Sequence, residues 1–157
     1  MRFVIQRVRE ACLDVDGQPH TAIGSGFVML VGYSAEEMLP ENRKKAERSW
    51  EQVVNKALGL RIFPDEKGKM NKDLDSFGGE LLLVSQFTLY ADCQKGKRPS
   101  FHTSAPAEVA EKAYNSLVKS LHKRLGERLK TGNFGADMDI HLTNWGPVTI
   151  LLDSADF

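Results

Sequence analysis

The sequence predicts an α+β domain, a mixed, strongly curved, barrel-like β-sheet of about seven strands carrying two helices. Three observations predict it. Short β-branched and apolar runs outnumber helical stripes, the two helical stripes do not alternate strictly with those runs, and Leu81-Leu82-Leu83-Val84 is apolar enough to need cover on both faces. At 157 residues the chain has the size of one domain, able to bury roughly two-thirds of its unfolded surface. One core spanning residues 1–157 is therefore expected.

Residues 3–8 and 11–15 are short β-branched-rich segments with the turn signal Asp16-Gly17 behind them, which suggests an opening hairpin-like pair. Residues 27–33 give a third, more apolar strand. Ser34 with Glu37 is a capping-box pattern, after which Ala46, Trp50, Val53, Val54, Ala57 and Leu58 share one helical face and Gly59 is well placed to end the helix. Residues 60–63 look like a strand leaving that helix, residues 64–68 a turn, and residues 80–90 a long buried strand at the centre of the sheet. A second helix starts near residues 104–106, where proline suits the first turn. Its stripe is Val109, Ala110, Ala113, Tyr114, Leu117, Val118 and Leu121, and Gly126 stops it. Met138, Ile140 and Leu142 alternate with polar neighbours, and residues 148–152 follow as the return strand of a hairpin tipped by Asn144-Trp145-Gly146-Pro147.

Composition narrows the function classes. The 21 basic and 21 acidic residues cancel, so no whole-molecule field draws the protein onto nucleic acid or an anionic membrane, and any RNA contact must be local. Cys12 and Cys93 lack disulfide-framework or zinc-like spacing, which fits a reducing compartment. The N-terminus lacks a signal-peptide core and no apolar run approaches the ~18 residues of a membrane span, so a cytoplasmic protein without membrane partner is expected. Standard hydrolase, metalloprotease, P-loop and dinucleotide motifs are missing, leaving no expected metal or cofactor. The four histidines stand isolated and none makes a convincing general base.

Three segments are poorly explained by local structure. In Ser85-Gln86-Phe87-Thr88, polar side chains interrupt the most apolar strand. Either the strand emerges into solvent there, or the chain bends, brings Ser85 and Thr88 into one pocket and turns backbone N–H groups outward as oxyanion donors. Asn144-Trp145-Gly146-Pro147 is either a tight turn or a rigid probe free of side chains at Gly146 and Pro147. Lys95-Gly96-Lys97-Arg98-Pro99-Ser100-Phe101 is either a solvated loop or a phosphate grip with an aromatic beside it.

These segments, together with Met1-Arg2-Phe3-Val4-Ile5-Gln6-Arg7-Val8, Leu60-Arg61-Ile62-Phe63, Gly79-Glu80-Leu81-Leu82 and Thr131-Gly132-Asn133-Phe134-Gly135-Ala136-Asp137-Met138, resemble the D-aminoacyl-tRNA deacylase family in the same order over nearly the whole chain. The family's SQxTL and NxGPxT motifs fall on residues 85–89 and 144–149. The resemblance implies a tRNA-editing hydrolase of D-aminoacyl-tRNA, active also on glycine mischarged on the alanine tRNA. It implies a homodimer in which the Gly146-Pro147 tip of one subunit, with a cis peptide bond, enters the other's pocket beside Ser85, Gln86, Phe87 and Thr88. Backbone N–H groups around Gln86 and Phe87 would hold the oxyanion, and the terminal ribose 2′-OH would assist. Arg7 would support the tip, Asn144 would belong with Gly146 and Pro147 to the substrate-binding and chiral-rejection residues, Met138 would line the pocket, and Lys95, Lys97 and Arg98 would contact tRNA. Trp145 departs from the small acidic residue common at its position.

Overall fold

Strand β1 (Arg2–Val15) changes its buried face halfway along. Phe3 and Ile5 point to one side, Val8 to the other, and an extra residue between Val8 and Ala11 resets the alternation so that Ala11 and Leu13 stay on the side of Val8. One strand therefore serves two cores. In the computed structural model, which describes residues 1–157, the first core joins Phe3 and Ile5 to Phe27, Met29, Leu81, Leu83 and the helix stripes. The second joins Val8, Ala11 and Leu13 to Ile23, Val28, Leu82 and Val84.

The hairpin expected over residues 3–15 is in fact this one continuous strand. Asp16-Gly17, both at positive φ, turn the chain instead into β2 (Gln18–Ile23), the geometry of a two-residue hairpin turn. β3 (Gly26–Gly32) then runs antiparallel to the first half of β1, and β6 (Glu80–Ser85) lies parallel to β3. The short β7 (Leu129–Thr131) lies parallel to β6, giving the order β2-β1-β3-β6-β7. Leu81 to Val84 are buried on both faces of this central strand, as their apolarity requires. The strand is shorter than expected: it ends at Ser85, and Phe87–Tyr90 form a 3-10 turn.

The final strand, β8 (Met138–Asp153), corrects a second expectation. It is not a hairpin but one strand, antiparallel to β1 from Met138 opposite Val15 to Asp153 opposite Arg2. The Asn144 to Pro147 segment is an outward bulge within it. The continuous pairing explains why residues 138–142 and 148–152 both alternate: Met138, Ile140 and Leu142 pack on the second core, Val148, Ile150 and Leu152 on the first, and the bulge between them switches the buried face as β1 does. The result is a strongly coiled, nearly closed sheet, as the α+β reading anticipated.

Helix α1 (Arg43–Leu58) covers the first core with Ala46, Val53, Val54, Ala57 and Leu58. Only half of the Ser34–Glu37 box forms: the Glu37 N–H donates to Ser34 Oγ at 3.2 Å while that hydroxyl donates to the Glu37 carboxylate at 2.9 Å, and the pair stands at a separate 3-10 turn, Glu36–Met38, rather than at α1. Residues 60–63 do not form a whole strand; β4 (Phe63–Pro64) pairs only briefly with β5 (Met70–Lys72). A short helix not anticipated, α2 (Leu74–Phe77), follows, with Asp73 and Ser76 forming a reciprocal capping box. Helix α3 (Ala107–Leu125) starts after Pro106 and stops at Gly126, burying Ala110, Tyr114, Leu117, Leu121 and Leu125. No helix is long and apolar enough to cross a membrane.

Candidate active site

The parallel strands β3, β6 and β7 end on the same side of the sheet, so the residues that leave them converge. A cavity of about 570 Å³ opens there, lined by Val31, Gly32 and Tyr33 after β3, Ser85, Gln86 and Phe87 after β6, and Phe134 to Met138 on the approach to β8. Helix α3 supplies its wall at Ala107 and Ala110. Tyr114, buried as its stripe implied, fastens the floor: its hydroxyl donates to the carbonyls of Leu83 (3.0 Å) and Gly132 (3.3 Å). Met138 lines the cavity as expected, and Gly132 makes room for it, since a Cβ there would stand 2.6 Å from Met138 Sδ.

The bend anticipated at Ser85 to Thr88 is present. Ladder pairing of β6 stops at Ser85, the Gln86 N–H still donates to Val31 O at 2.7 Å, and the chain then curls into the 3-10 turn. Gly32 allows this curl to lie close, because a Cβ at that position would sit 2.8 Å from Gln86 O. The bend brings Ser85, Gln86 and Phe87 to the cavity but not Thr88. Thr88 is exposed, and its Oγ1 accepts a hydrogen bond from Gln86 Nε2 at 2.6 Å. Ser85 and Thr88 therefore do not share the pocket, and no histidine lines it.

The bulge of β8 stands elsewhere. Gln6 pairs with Thr149 and Val8 with Asn144, so Trp145 to Val148 all face Arg7 alone. Arg7 in turn pairs with Phe27, near the start of β3, whereas the cavity begins at Val31; four residues of strand separate them by about 13 Å. Gly146 and Pro147 are exposed, joined by a cis peptide bond, and do not line the cavity. The motif residues have visible structural work here. Asn144 closes the neck of the bulge, its Oδ1 accepting from the Val148 N–H (3.0 Å) and its Nδ2 donating to Thr149 Oγ1 (3.1 Å). Arg7, only 7% exposed, donates through Nε to Trp145 O at 2.8 Å and through Nη1 to Ile62 O. Burial, and then the neighbouring Arg9 charge, hold its pKa below the ordinary arginine value. At Gly146, φ is +132° and a Cβ would meet Arg7 Nη2 at 2.8 Å, so glycine is required twice over.

Lys95, Lys97 and Arg98 are exposed on a loop whose ends are tied by paired backbone bonds between Asp92 and Ser100 (2.7 and 2.8 Å). That loop leads straight to Phe101, which meets Phe87 edge-on at 5.0 Å on the cavity wall. The three basic residues themselves do not line the cavity. Gly32, Tyr33, Ala107 and Ala110 lie outside the motifs singled out in the sequence. Only the end of an apolar strand beside a helix start hinted at them, since cavity walls and ordinary core share the same composition.

The family model for D-Tyr-tRNA(Tyr) deacylase matches residues 4–153. A D-aminoacyl-tRNA deacylase of Solidesulfovibrio magneticus is 54% identical over 99% of this chain and 97% of its own length. Its counterpart in Nitratidesulfovibrio vulgaris is 48% identical, covering 99% and 94%. Among solved structures, one described as a c-Myc DNA unwinding element binding protein superposes with a TM-score of 0.87 at 42% identity, covering 98% of both chains. A probable eukaryotic D-amino acid tRNA deacylase shares the fold, with a TM-score of 0.79 at 17% identity over 96% of this chain and 97% of its own. Because the family match takes in β6, the turn after it and the whole of β8, this chain belongs to the D-Tyr-tRNA(Tyr) deacylase family.

Proposed function

We infer that this protein is a hydrolase that cleaves the ester of D-aminoacyl-tRNA, releasing a free D-amino acid and tRNA and so editing mischarged tRNA. The observation that carries the reading is the match to relatives bearing that activity in their names, at about half identity and over nearly the whole length of both chains. In our reading the aminoacylated 3′ end enters the cavity beside Ser85, Gln86 and Phe87. Water attacks the ester carbonyl, the C–O bond to the ribose breaks, and the departing oxygen recovers a proton. The Gln86 N–H is committed to Val31, so the Phe87 N–H takes the oxyanion role. An already reactive ester held in place needs little more than positioning, and the terminal 2′-OH assists. Thr88, turned away and bonded to Gln86, is not the nucleophile.

Chirality is judged, in this proposal, by the Gly146-Pro147 tip of a second subunit inserted into the cavity. Support comes from the tip being exposed, rigidly held by Arg7 and Asn144, and distant from its own protomer's cavity. A backbone wall on the L side excludes an L side chain by collision while leaving D side chains free. Glycine has no side chain to collide, so glycine on the alanine tRNA is a substrate too. Lys95, Lys97 and Arg98 hold the acceptor phosphates, a cytoplasmic setting supplies the tRNA, and no cofactor takes part.

The test is hydrolysis of tRNA carrying D-tyrosine or L-tyrosine: release of D-tyrosine with L-tyrosyl-tRNA spared is expected, and equal or absent cleavage overturns the assignment. The printed name of the 42% identical structure motivates a second reading, nucleic-acid binding without hydrolysis. It requires salt-sensitive binding with the charged tRNA left intact.

A further inference from the structure

The bulge of β8 carries one residue whose surroundings the NxGPxT pattern does not account for. Two guanidinium groups lie over the Trp145 ring, Arg7 Cζ 4.5 Å from its centroid and Arg9 Cζ 4.3 Å. The Trp145 centroid lies 6.0 Å from that of Phe77, the two rings tilted at 51°, and Phe77 in turn stacks on Phe63 in the first core. The Trp145 carbonyl accepts from Arg7 Nε. Neither arginine forms an ion pair with a carboxylate. Two like charges thus share a single indole, whose π-system is their common counterweight. Trp145 is the residue directly before Gly146, so whatever fixes its ring and carbonyl fixes the direction in which the next two residues project.

We propose that Trp145, clamped by Arg7 and Arg9 and braced by Phe77, is a positioning residue that sets the angle of the Gly146-Pro147 tip and thereby sharpens discrimination between D- and L-esters. The proposal rests on the reading that the tip is the chiral filter. Arg7 alone could swivel about its two carbonyl bonds, whereas a ring that also engages both guanidinium groups cannot tilt without weakening a cation–π interaction. A tip held this way excludes L side chains by a fixed wall. A loosened tip yields to them, since rejection by collision is only as strong as the wall is stiff. Catalysis on D-esters, which in this scheme never touch the wall, is spared.

The experiment compares wild type with Trp145→Ala, Trp145→Phe, Arg9→Gln and Pro147→Ala, measuring kcat/KM on D- and L-tyrosyl-tRNA. Arg9→Gln changes an exposed side chain and leaves the fold in place. Trp145→Ala is expected to lower the D-over-L ratio about tenfold, Arg9→Gln about threefold, and Trp145→Phe to restore most of it, with D-ester turnover changed less than about twofold. An unchanged ratio in both Trp145→Ala and Arg9→Gln, while Pro147→Ala destroys it, removes the clamp but keeps the filter. A ratio that survives Pro147→Ala removes the filter itself. Equal loss of D- and L-ester turnover in Arg9→Gln marks a general structural role and overturns the proposal.

Discussion

Glu37 was legible in the sequence only as one half of a capping box. In the fold its carboxylate also accepts hydrogen bonds from Trp50 Nε1 (3.0 Å), the Ser154 hydroxyl and the amino group of Met1, drawing the two chain ends together over α1. Burial alone would raise its pKa, but the bonds from Met1, Ser154 and Trp50 prevail and leave it below the ordinary glutamate value. A depressed folded-state pKa means stability that is complete above the unfolded value of about 4.3 and is lost as pH falls through the folded value. Glu37→Gln is therefore expected to cost about 1.5–3 kcal/mol near neutrality and to flatten the acid limb of a plot of urea midpoint against pH. A variant whose midpoint and acid limb match wild type would show the cluster contributes nothing. Such a partner set spans residues 1 to 154, and no local pattern announces a contact over that separation. Arg7 was different. The family likeness named it as the support of the proposed tip, and in the fold its buried guanidinium donates to Trp145 O.

At the scale of elements, alternation and capping located both long helices and most strands, because burial of one face leaves a period in the sequence. The two expected hairpins that are single strands share one cause. Interrupted alternation suggests hairpins at 8–11 and 142–148, where the chain in fact bulges within long strands, and a bulge interrupts the period just as a turn does. Only the partner strand reveals which has happened. Gly26 shows how tightly such pairing is drawn: a Cβ there would lie 1.8 Å from the carbonyl oxygen of Glu80, its partner in the β3–β6 ladder. Gly26→Ala is expected to destabilise the fold by about 3 kcal/mol or more, above the usual range for overpacking, because backbone rather than a side chain must move. Denaturant unfolding checks it, and a loss below about 1 kcal/mol would show that the ladder opens easily.

For the whole molecule, zero net charge leaves local electrostatics to guide an anionic substrate. Replacing Lys95, Lys97 and Arg98 by alanine is expected to weaken tRNA binding and to reduce the slope of log K against log salt by roughly 0.7–0.9 for each phosphate left without its cation. Filter-binding titrations over a salt series measure this, and an unchanged slope would free the loop from any role in binding. The proposed exchange of tips also requires a dimer at working concentrations, so sedimentation should give twice the 17.5 kDa chain mass. None of this assembly was written in periodicity. It entered through likeness, because a surface that pairs with its own copy has the composition of any other surface.

The bulge in β8 has one more effect, on what the protein avoids. β8 bonds to β1 along one side, and no strand of the fold covers its other side. A straight ribbon from Met138 to Asp153 would offer foreign strands a long docking rail. The kink at Gly146 and Pro147, the latter lacking an N–H, cuts that rail into Met138–Asn144 and Thr149–Asp153 and spoils its straightness. The same few atoms proposed to judge handedness thus also discourage fibre growth, so a variant that regularises β8 is expected to precipitate more readily.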